Sequence, residues 1–307
     1  MKRASFVFLT ASSAVALVTV LACSSESGSS SSSGGLPDGA PEGSVILEDG
    51  AIVDPDGNII DPQDSRPPSK VNTTTETVDV DGNNRSFVLL VPKTYDASRK
   101  YPLVVGLHGD GQSAATFQPH LHLEDVSGDD AIIAYPDGSV DLFTPYDQNV
   151  DQKLIERTIA SVKGKYNIDA AKVWALGYSK GAFQLNQIAC RKPNVFTAMA
   201  IHAGGAPQDR QAGNPNAVDC PNSVALPTFV TEGTNDDPGG GEFGALVWAQ
   251  KAGCGGSKSA TTPSICQKYD NCPAAAPVVF CLVPGQPHYP LYDQAAEHSW
   301  AWFKSLP

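Results

Sequence analysis

The sequence predicts an α/β fold built on a mainly parallel sheet, with helices on both faces and an antiparallel hairpin at its N-terminal end. Three observations predict it. Leu103-Val104-Val105-Gly106-Leu107 and Ala131-Ile132-Ile133-Ala134-Tyr135 are continuous apolar runs, as strands buried on both faces require. Such runs alternate with helical periodicity along the chain, the pattern of β-α-β units. The third is Gly177-Tyr178-Ser179-Lys180-Gly181, which sits between an apolar run, Val173–Leu176, and a helical segment, Ala182–Arg191. Strand, Gly-x-Ser-x-Gly, helix lifts a serine hydroxyl onto a sharp turn at a sheet edge.

The elements follow in order. Residues 75–80 and 85–91 read as two strands joined by Asp81-Gly82-Asn83-Asn84, which is hairpin turn chemistry. Pro92 stops the second strand. The 103–107 strand ends in His108-Gly109-Asp110-Gly111, and 113–120 reads as a short helix. The 131–135 strand is stopped by Pro136-Asp137-Gly138. Residues 150–166 read as a helix, with Leu154, Ile155, Ile159 and Val162 on one stripe. Strands are predicted at 173–176, 198–201, 228–230 and 278–283, and helices at 182–191, 243–251 and 293–304. These elements form one domain, residues 72–307.

The 71 residues before it are of another kind. Lys2 and Arg3 precede an apolar stretch, Phe6–Leu21, that is short for a membrane span. It ends in Leu21-Ala22-Cys23, which resembles a bacterial lipobox. Residues 1–22 are therefore read as a lipoprotein-type signal peptide and Cys23 as the lipidated residue. Residues 23–71 are read as a linker, Ser/Gly-rich and then Asp/Pro-rich, without a core of its own. The Asp54-Pro55-Asp56-Gly57-Asn58 run is like a calcium loop, but Pro55 and the lack of a bidentate Glu argue against one. The expected location is outside the cytoplasm: anchored to the bacterial envelope or cell surface by lipid, or secreted.

The net charge of −12 disfavours nucleic acid as a partner. Nine acids against two bases between Glu26 and Lys70 place much of that charge in the linker, so the domain itself is only mildly acidic. Apart from Cys23 there are six cysteines: 190, 220, 254, 266, 272 and 281. An even number in an exported chain reads as three disulfides. Four staple the Gly- and Pro-rich stretch 254–281, and Cys190 with Cys220 is the preferred remaining pair. No metal is expected: the cysteine spacings are irregular for zinc, and His120-Leu121-His122 has no third ligand.

A serine nucleophile needs a base, and the base needs an orienting acid, in the chain order Ser, Asp or Glu, His. His298 lies mid-helix beside Trp300 and Trp302, where a packed or solvated role is expected. His288 lies in a loop directly after the last strand and is the candidate base. The acid belongs in the preceding strand's loop, Glu232-Gly233-Thr234-Asn235-Asp236-Asp237, where Asp236 and Asp237 both qualify. An oxyanion hole needs two backbone N–H groups. Lys180 offers one, and Asp110 or Gly111 the other. His108 is read as structural rather than catalytic, and is also a candidate substrate contact. His202, Tyr178 and Tyr289 are candidate substrate contacts.

Tyr101-Pro102-Leu103-Val104-Val105-Gly106-Leu107-His108-Gly109, Tyr135-Pro136-Asp137-Gly138, Tyr166-Asn167-Ile168-Asp169, the Ser179 motif, Gly233-Thr234-Asn235-Asp236 and His288-Tyr289-Pro290 together resemble an α/β-hydrolase esterase family. That family includes polyhydroxybutyrate depolymerases, feruloyl esterases and acetylxylan esterases (carbohydrate esterase family one). The resemblance spans residues 79–290. It implies the α/β-hydrolase fold, Ser179 as nucleophile, Asp236 as acid because the family's acid follows Gly-Thr-x, and His288 as base. The chain departs from the family at Glu232, where His is usual, at Ala182, where Gly is usual, and in Gly285-Gln286-Pro287-His288-Tyr289-Pro290, where the family has Gly-Gly-His-x-Trp-Pro.

The expected function is an exported serine esterase working through an acyl-enzyme, without a cofactor, as a monomer. Its substrates are expected to be feruloyl or acetyl esters of plant polysaccharide. The alternatives are a polyhydroxyalkanoate depolymerase, a non-catalytic surface binding module on the same fold, and a serine peptidase.

Overall fold

The computed structural model describes residues 69–138, 148–192, 194–207 and 224–307, with the backbone of 45–46, 52–53 and 59–60. The signal segment, Cys23, the Ser/Gly tract, the Asp54–Asn58 run and Cys220 lie outside the described residues. The chain divides into two units, residues 1–66 and 67–307.

In the first unit, β1 (Val45–Ile46), β2 (Ile52–Val53) and β3 (Ile59–Ile60) pair in antiparallel succession. A linker without structure was expected here. The apolar pairs recur at near-even spacing with Asp-Gly between them, which is enough to form a short meander.

The second unit opens with a hairpin, β4 (Val71–Val80) and β5 (Asn83–Pro92). Its turn is only two residues long. Asp81 and Gly82 both have positive φ, 53° and 83°, the geometry whose twist matches the flanking strands. Then come β6 (Tyr101–Leu107), α1 (Ala114–Leu121), α2 (Leu123–Ser127), β7 (Ile132–Pro136), α3 (Val150–Lys165), β8 (Ile168–Tyr178), α4 (Lys180–Arg191) and β9 (Ala198–His202). After these follow β10 (Thr228–Gly233), α5 (Pro238–Ala252), β11 (Lys258–Thr261), β12 (Cys266–Tyr269), β13 (Val278–Val283) and α6 (Ala295–Ser305).

The sheet order is β11-β12-β13-β10-β9-β8-β6-β7-β5-β4. The six strands from β13 to β7 run parallel. Two antiparallel strands extend each side: β5 and β4 beyond β7, β12 and β11 beyond β13. Alternation within the apolar runs feeds two cores. Leu103 and Val105 pack with Ile155 of α3, Leu185 of α4 and Trp248 of α5, while Val104 and Ile133 pack with Phe117 of α1 and Trp300 and Phe303 of α6. Helices thus cover both faces, as expected.

Caps fix the helix starts. Ser113 caps α1 in a reciprocal capping box with Thr116, and the Asn149 side chain accepts from the amides of Asp151 and Gln152 at α3. The hairpin β11–β12 has few apolar residues and is held by cross-links. Cys266–Cys281 ties β12 to β13, and Cys254–Cys272 closes the segment; their partners are 15 and 18 residues apart. Loops of that length give about 3 kcal/mol each in the chain-entropy account. Cys190 is also disulfide-bonded.

Candidate active site

The site is assembled at the C-terminal ends of β6, β8, β10 and β13. Ser179 follows β8 directly, at φ 53° and ψ −121°. A non-glycine residue held there costs about 1–3 kcal/mol, which the surrounding packing must offset. The flanking glycines permit the turn. A β-carbon on Gly177 would fall 2.6 Å from the Gly181 carbonyl oxygen, and one on Gly181 would fall 2.3 Å from that of Leu107. The Ser179 amide donates to the His202 carbonyl at 2.9 Å, fixing the turn against β9.

Ser179 Oγ lies 2.8 Å from His288 Nε2, and His288 Nδ1 lies 2.7 Å from Asp236 Oδ2. With a carboxylate at Nδ1, that nitrogen carries the proton and donates, which leaves Nε2 to accept the serine hydroxyl. Ser179 and His288, 109 residues apart in sequence, meet because β10 pairs with both β9 and β13. Asp237 is drawn away: its carboxylate caps α5, accepting from the Gly240 amide at 3.0 Å. The Asp236 loop and the His288 loop are stitched together. The amide of Asn235 donates to the Gln286 carbonyl at 3.0 Å, the Asn235 side chain to the Gly285 carbonyl at 3.0 Å, and the Gly285 amide to Thr234 Oγ1 at 2.7 Å. Gln286, one of the departures from the family pattern, closes the His288 loop on itself by donating from Nε2 to the Pro287 and Pro290 carbonyls.

The oxyanion candidates stand side by side because β6 pairs with β8, Leu107 opposite Gly177. Lys180 is the first residue of α4, so its amide has no carbonyl partner inside the helix. Asp110 and Gly111 lie in the turn after β6, Gly111 at φ 69°. Lys180 Nζ pairs with Asp110 Oδ1 at 2.6 Å across the gap, and this pairing holds the Asp110 carboxyl below its ordinary value.

Three expected substrate contacts are corrected. His202 is fully buried, with Nδ1 2.7 Å from Thr231 Oγ1 and Nε2 2.9 Å from Ser299 Oγ, so neither nitrogen is offered to a ligand. Burial pushes its pKa down to about 3, and it is neutral. Tyr178 is also buried. Its hydroxyl donates to the His288 carbonyl and its ring stacks on the imidazole, so it supports the base. His108 lies beneath the Asp110 turn with Nδ1 2.9 Å from the Gly109 carbonyl, beside Leu154, Ile155 and Gln184. It packs inside and does not line the site. Tyr289 is 63 % exposed, next to His288, and remains available to a ligand.

Sequence reasoning gave Glu232 no role beyond being a departure. It is buried at the end of β10, in a small cavity shared with Tyr178, His202, His288 and Tyr292. Burial first, and then the hydrogen bonding and charge of the neighbouring Asp236 carboxyl, raise its own carboxyl well above the ordinary range. An acid at the penultimate residue of a buried strand, four residues before the candidate acid, was the available signal.

No family model matches the chain. In sequence it is 28% identical over 138 residues to a probable feruloyl esterase C of Aspergillus terreus, covering 43% of this chain and 51% of that protein. It is 23% identical over 234 residues to feruloyl esterase B of Piromyces equi, covering 66% of this chain and 42% of that protein. The chain thus spans about half the length of the curated relatives it matches. In structure it is similar to an acetyl xylan esterase from Aspergillus awamori, with a TM-score of 0.60, 14% identity, and 75% of this chain and 99% of that one covered. The chain has the α/β-hydrolase fold and, in sequence, resembles the feruloyl-esterase type within it.

Proposed function

We propose that the protein is an exported serine carboxylic-ester hydrolase acting on feruloyl or acetyl esters of plant polysaccharide. One observation carries the reading: the unbroken relay from Ser179 Oγ through His288 to Asp236, with contacts of 2.8 and 2.7 Å. In this reading His288 Nε2 takes the hydroxyl proton as Ser179 Oγ attacks the ester carbonyl carbon. Asp236 holds the imidazole by Nδ1 and stabilises the imidazolium that forms. The oxyanion is met by the amide of Lys180, backed by the positive end of α4, and by the amide of Asp110 or Gly111. His288 then returns the proton to the leaving alcohol. Water, deprotonated by the same nitrogen, hydrolyses the acyl-enzyme and frees the acid. The cycle uses side chains and backbone alone.

The substrate class rests on the feruloyl esterase and acetyl xylan esterase relatives and on Tyr289, an exposed aromatic face beside the base. Export is supported by the disulfides, which persist in oxidising compartments. Lipid attachment at Cys23, or secretion without it, and a monomeric state complete the reading.

The test is Ser179→Ala assayed with p-nitrophenyl acetate, beside a wild-type panel of methyl ferulate, acetylated xylan and hydroxybutyrate oligomers. The variant is expected to lose about 10³-fold or more in kcat. A variant as fast as the wild type overturns the mechanism, and preference for the hydroxybutyrate oligomers reassigns the substrate to a polyester.

A further inference from the structure

Glu232 is only 3 % exposed, and its Oε1 has no hydrogen-bond donor facing it. A buried acceptor left in that state is costly. The residue is also tightly enclosed: a β-carbon on Gly241 of α5 would lie 2.6 to 2.8 Å from its Cβ, Cγ and Oε2. What its carboxyl does meet is the carboxyl of Asp236, with the Gly233 amide as a weaker, opposing donor that favours the ionised form. Two ionised carboxylates have no proton between them and repel. The contact is a hydrogen bond only when one of the two is protonated. Asp236 accepts from His288 Nδ1 and serves the relay as an anion. The proton therefore belongs on Glu232.

We propose that Glu232 is a positioning residue of this site: it stays a neutral acid, donates its carboxyl proton to the Asp236 carboxylate, and disables the site at alkaline pH when that proton is lost. The proposal rests on the esterase reading above. It gives Asp236 a second donor on the side of the cavity, so the carboxylate is held between His288 and Glu232 and cannot swing away from the imidazole. The groups facing Glu232 are consistent with a neutral acid. Asp236 and Asp237 are the charges that bear on it, both negative. His202 from β9 is neutral, with both nitrogens engaged. Tyr178 from β8 and Tyr292 have hydroxyls pushed up by burial, and His288 faces the cavity from its own loop. Burial first, then the hydrogen bond and charge of Asp236, push the Glu232 carboxyl up to about 9. When it ionises, a second negative charge is placed against Asp236, and the donor that held Asp236 becomes an acceptor.

The experiment measures fluorophosphonate labelling of Ser179 and blank-corrected turnover of p-nitrophenyl acetate, from about pH 6 to about pH 10. It compares wild type, Glu232→Gln and Glu232→Ala, with Ser179→Ala as the labelling control. In the wild type both rates are expected to fall on an alkaline limb centred near 9. Glu232→Ala lacks the donor and loses about tenfold in kcat near neutral pH, with KM within about twofold. Glu232→Gln keeps a donor that cannot ionise. It recovers part of that loss and shows no alkaline limb. A second reading needs no variant: the infrared C=O stretch of a protonated carboxylic acid is present at neutral pH and disappears through the same limb. A Glu232→Gln limb equal to that of the wild type, a Glu232→Ala rate equal to that of the wild type, or absence of the infrared band overturns the proposal while leaving the esterase reading intact. Absence of wild-type labelling at every pH overturns the esterase reading itself, and the proposal with it.

Discussion

The hydroxyl of Tyr178 donates to the backbone carbonyl of His288 at 2.5 Å, and the two rings stack with centroids 5.8 Å apart. Tyr178 is the residue immediately before the serine. One side chain therefore ties the Ser179 turn to the loop that carries the base. Tyr178→Phe keeps the stacked ring and removes the tie. The expected result is a loss of about three- to tenfold in kcat, the range of a single neutral hydrogen bond, with KM changed by less than twofold. Equal kcat in both proteins would show that the loop is held without it. A rise in KM alone would return Tyr178 to a substrate-contacting role.

The end of β10 packs closely on the base loop at Gly233. A β-carbon there would lie 2.0 Å from the Gln286 carbonyl oxygen, and both partners are backbone. That oxygen also accepts the Asn235 amide. Gly233→Ala must therefore push the His288 loop away from the Asp236 loop and break their shared hydrogen bonds. Both stability and turnover are expected to fall, by about 2–3 kcal/mol and at least about tenfold, because the same displacement lengthens the contact between His288 and Asp236. Thermal melting and steady-state kinetics on one preparation check it. Unchanged values for both would mean that the loops have slack which the wild-type packing does not reveal.

How much of this was legible in the sequence depends on what each residue signals locally. Buried strands announce themselves by apolar runs, so β6, β7 and β13 were predicted within two residues of their ends. The start of β8 was missed because Ile168-Asp169-Ala170-Ala171-Lys172 is too polar for a buried strand; it pairs only at the rim, Ile168 opposite Tyr101. The first turn of α5 was hidden by Pro238-Gly239-Gly240-Gly241, which reads as a breaker. Pro at the first position suits a helix start, and Gly241 is needed where the helix approaches Glu232. The β11–β12 hairpin carries almost no apolar pattern, since its disulfides hold it in place of a core. Ser179, Asp236 and His288 were legible because their loops follow strands in the required order. The roles of Tyr178, His202 and Glu232 were not, because each depends on what a side chain meets from a strand distant in sequence.

His202 makes a prediction about acid stability. Its ring is buried between Thr231 and Ser299, and burial holds its pKa down to about 3, against an ordinary value of 6.5. In the folded protein it stays neutral, while in the unfolded chain it takes a proton below 6.5. Its contribution to stability is thus fully present above 6.5 and is lost progressively as pH falls toward 3, at up to about 1.4 kcal/mol per pH unit. Glu232 acts with the opposite sign. Kept protonated in the fold up to about 9, against 4.5 ordinarily, it lowers stability as pH rises through that interval. Between 4.5 and 6.5 the two slopes oppose each other, so acid sensitivity attributable to His202 is clearest below 4.5. Urea unfolding followed from neutral to acid pH, in wild type and His202→Gln, measures it. The variant loses hydrogen bonds and is less stable throughout, but its acid slope below 4.5 is expected to be shallower by about one proton. Parallel slopes would assign the acid sensitivity to groups other than His202.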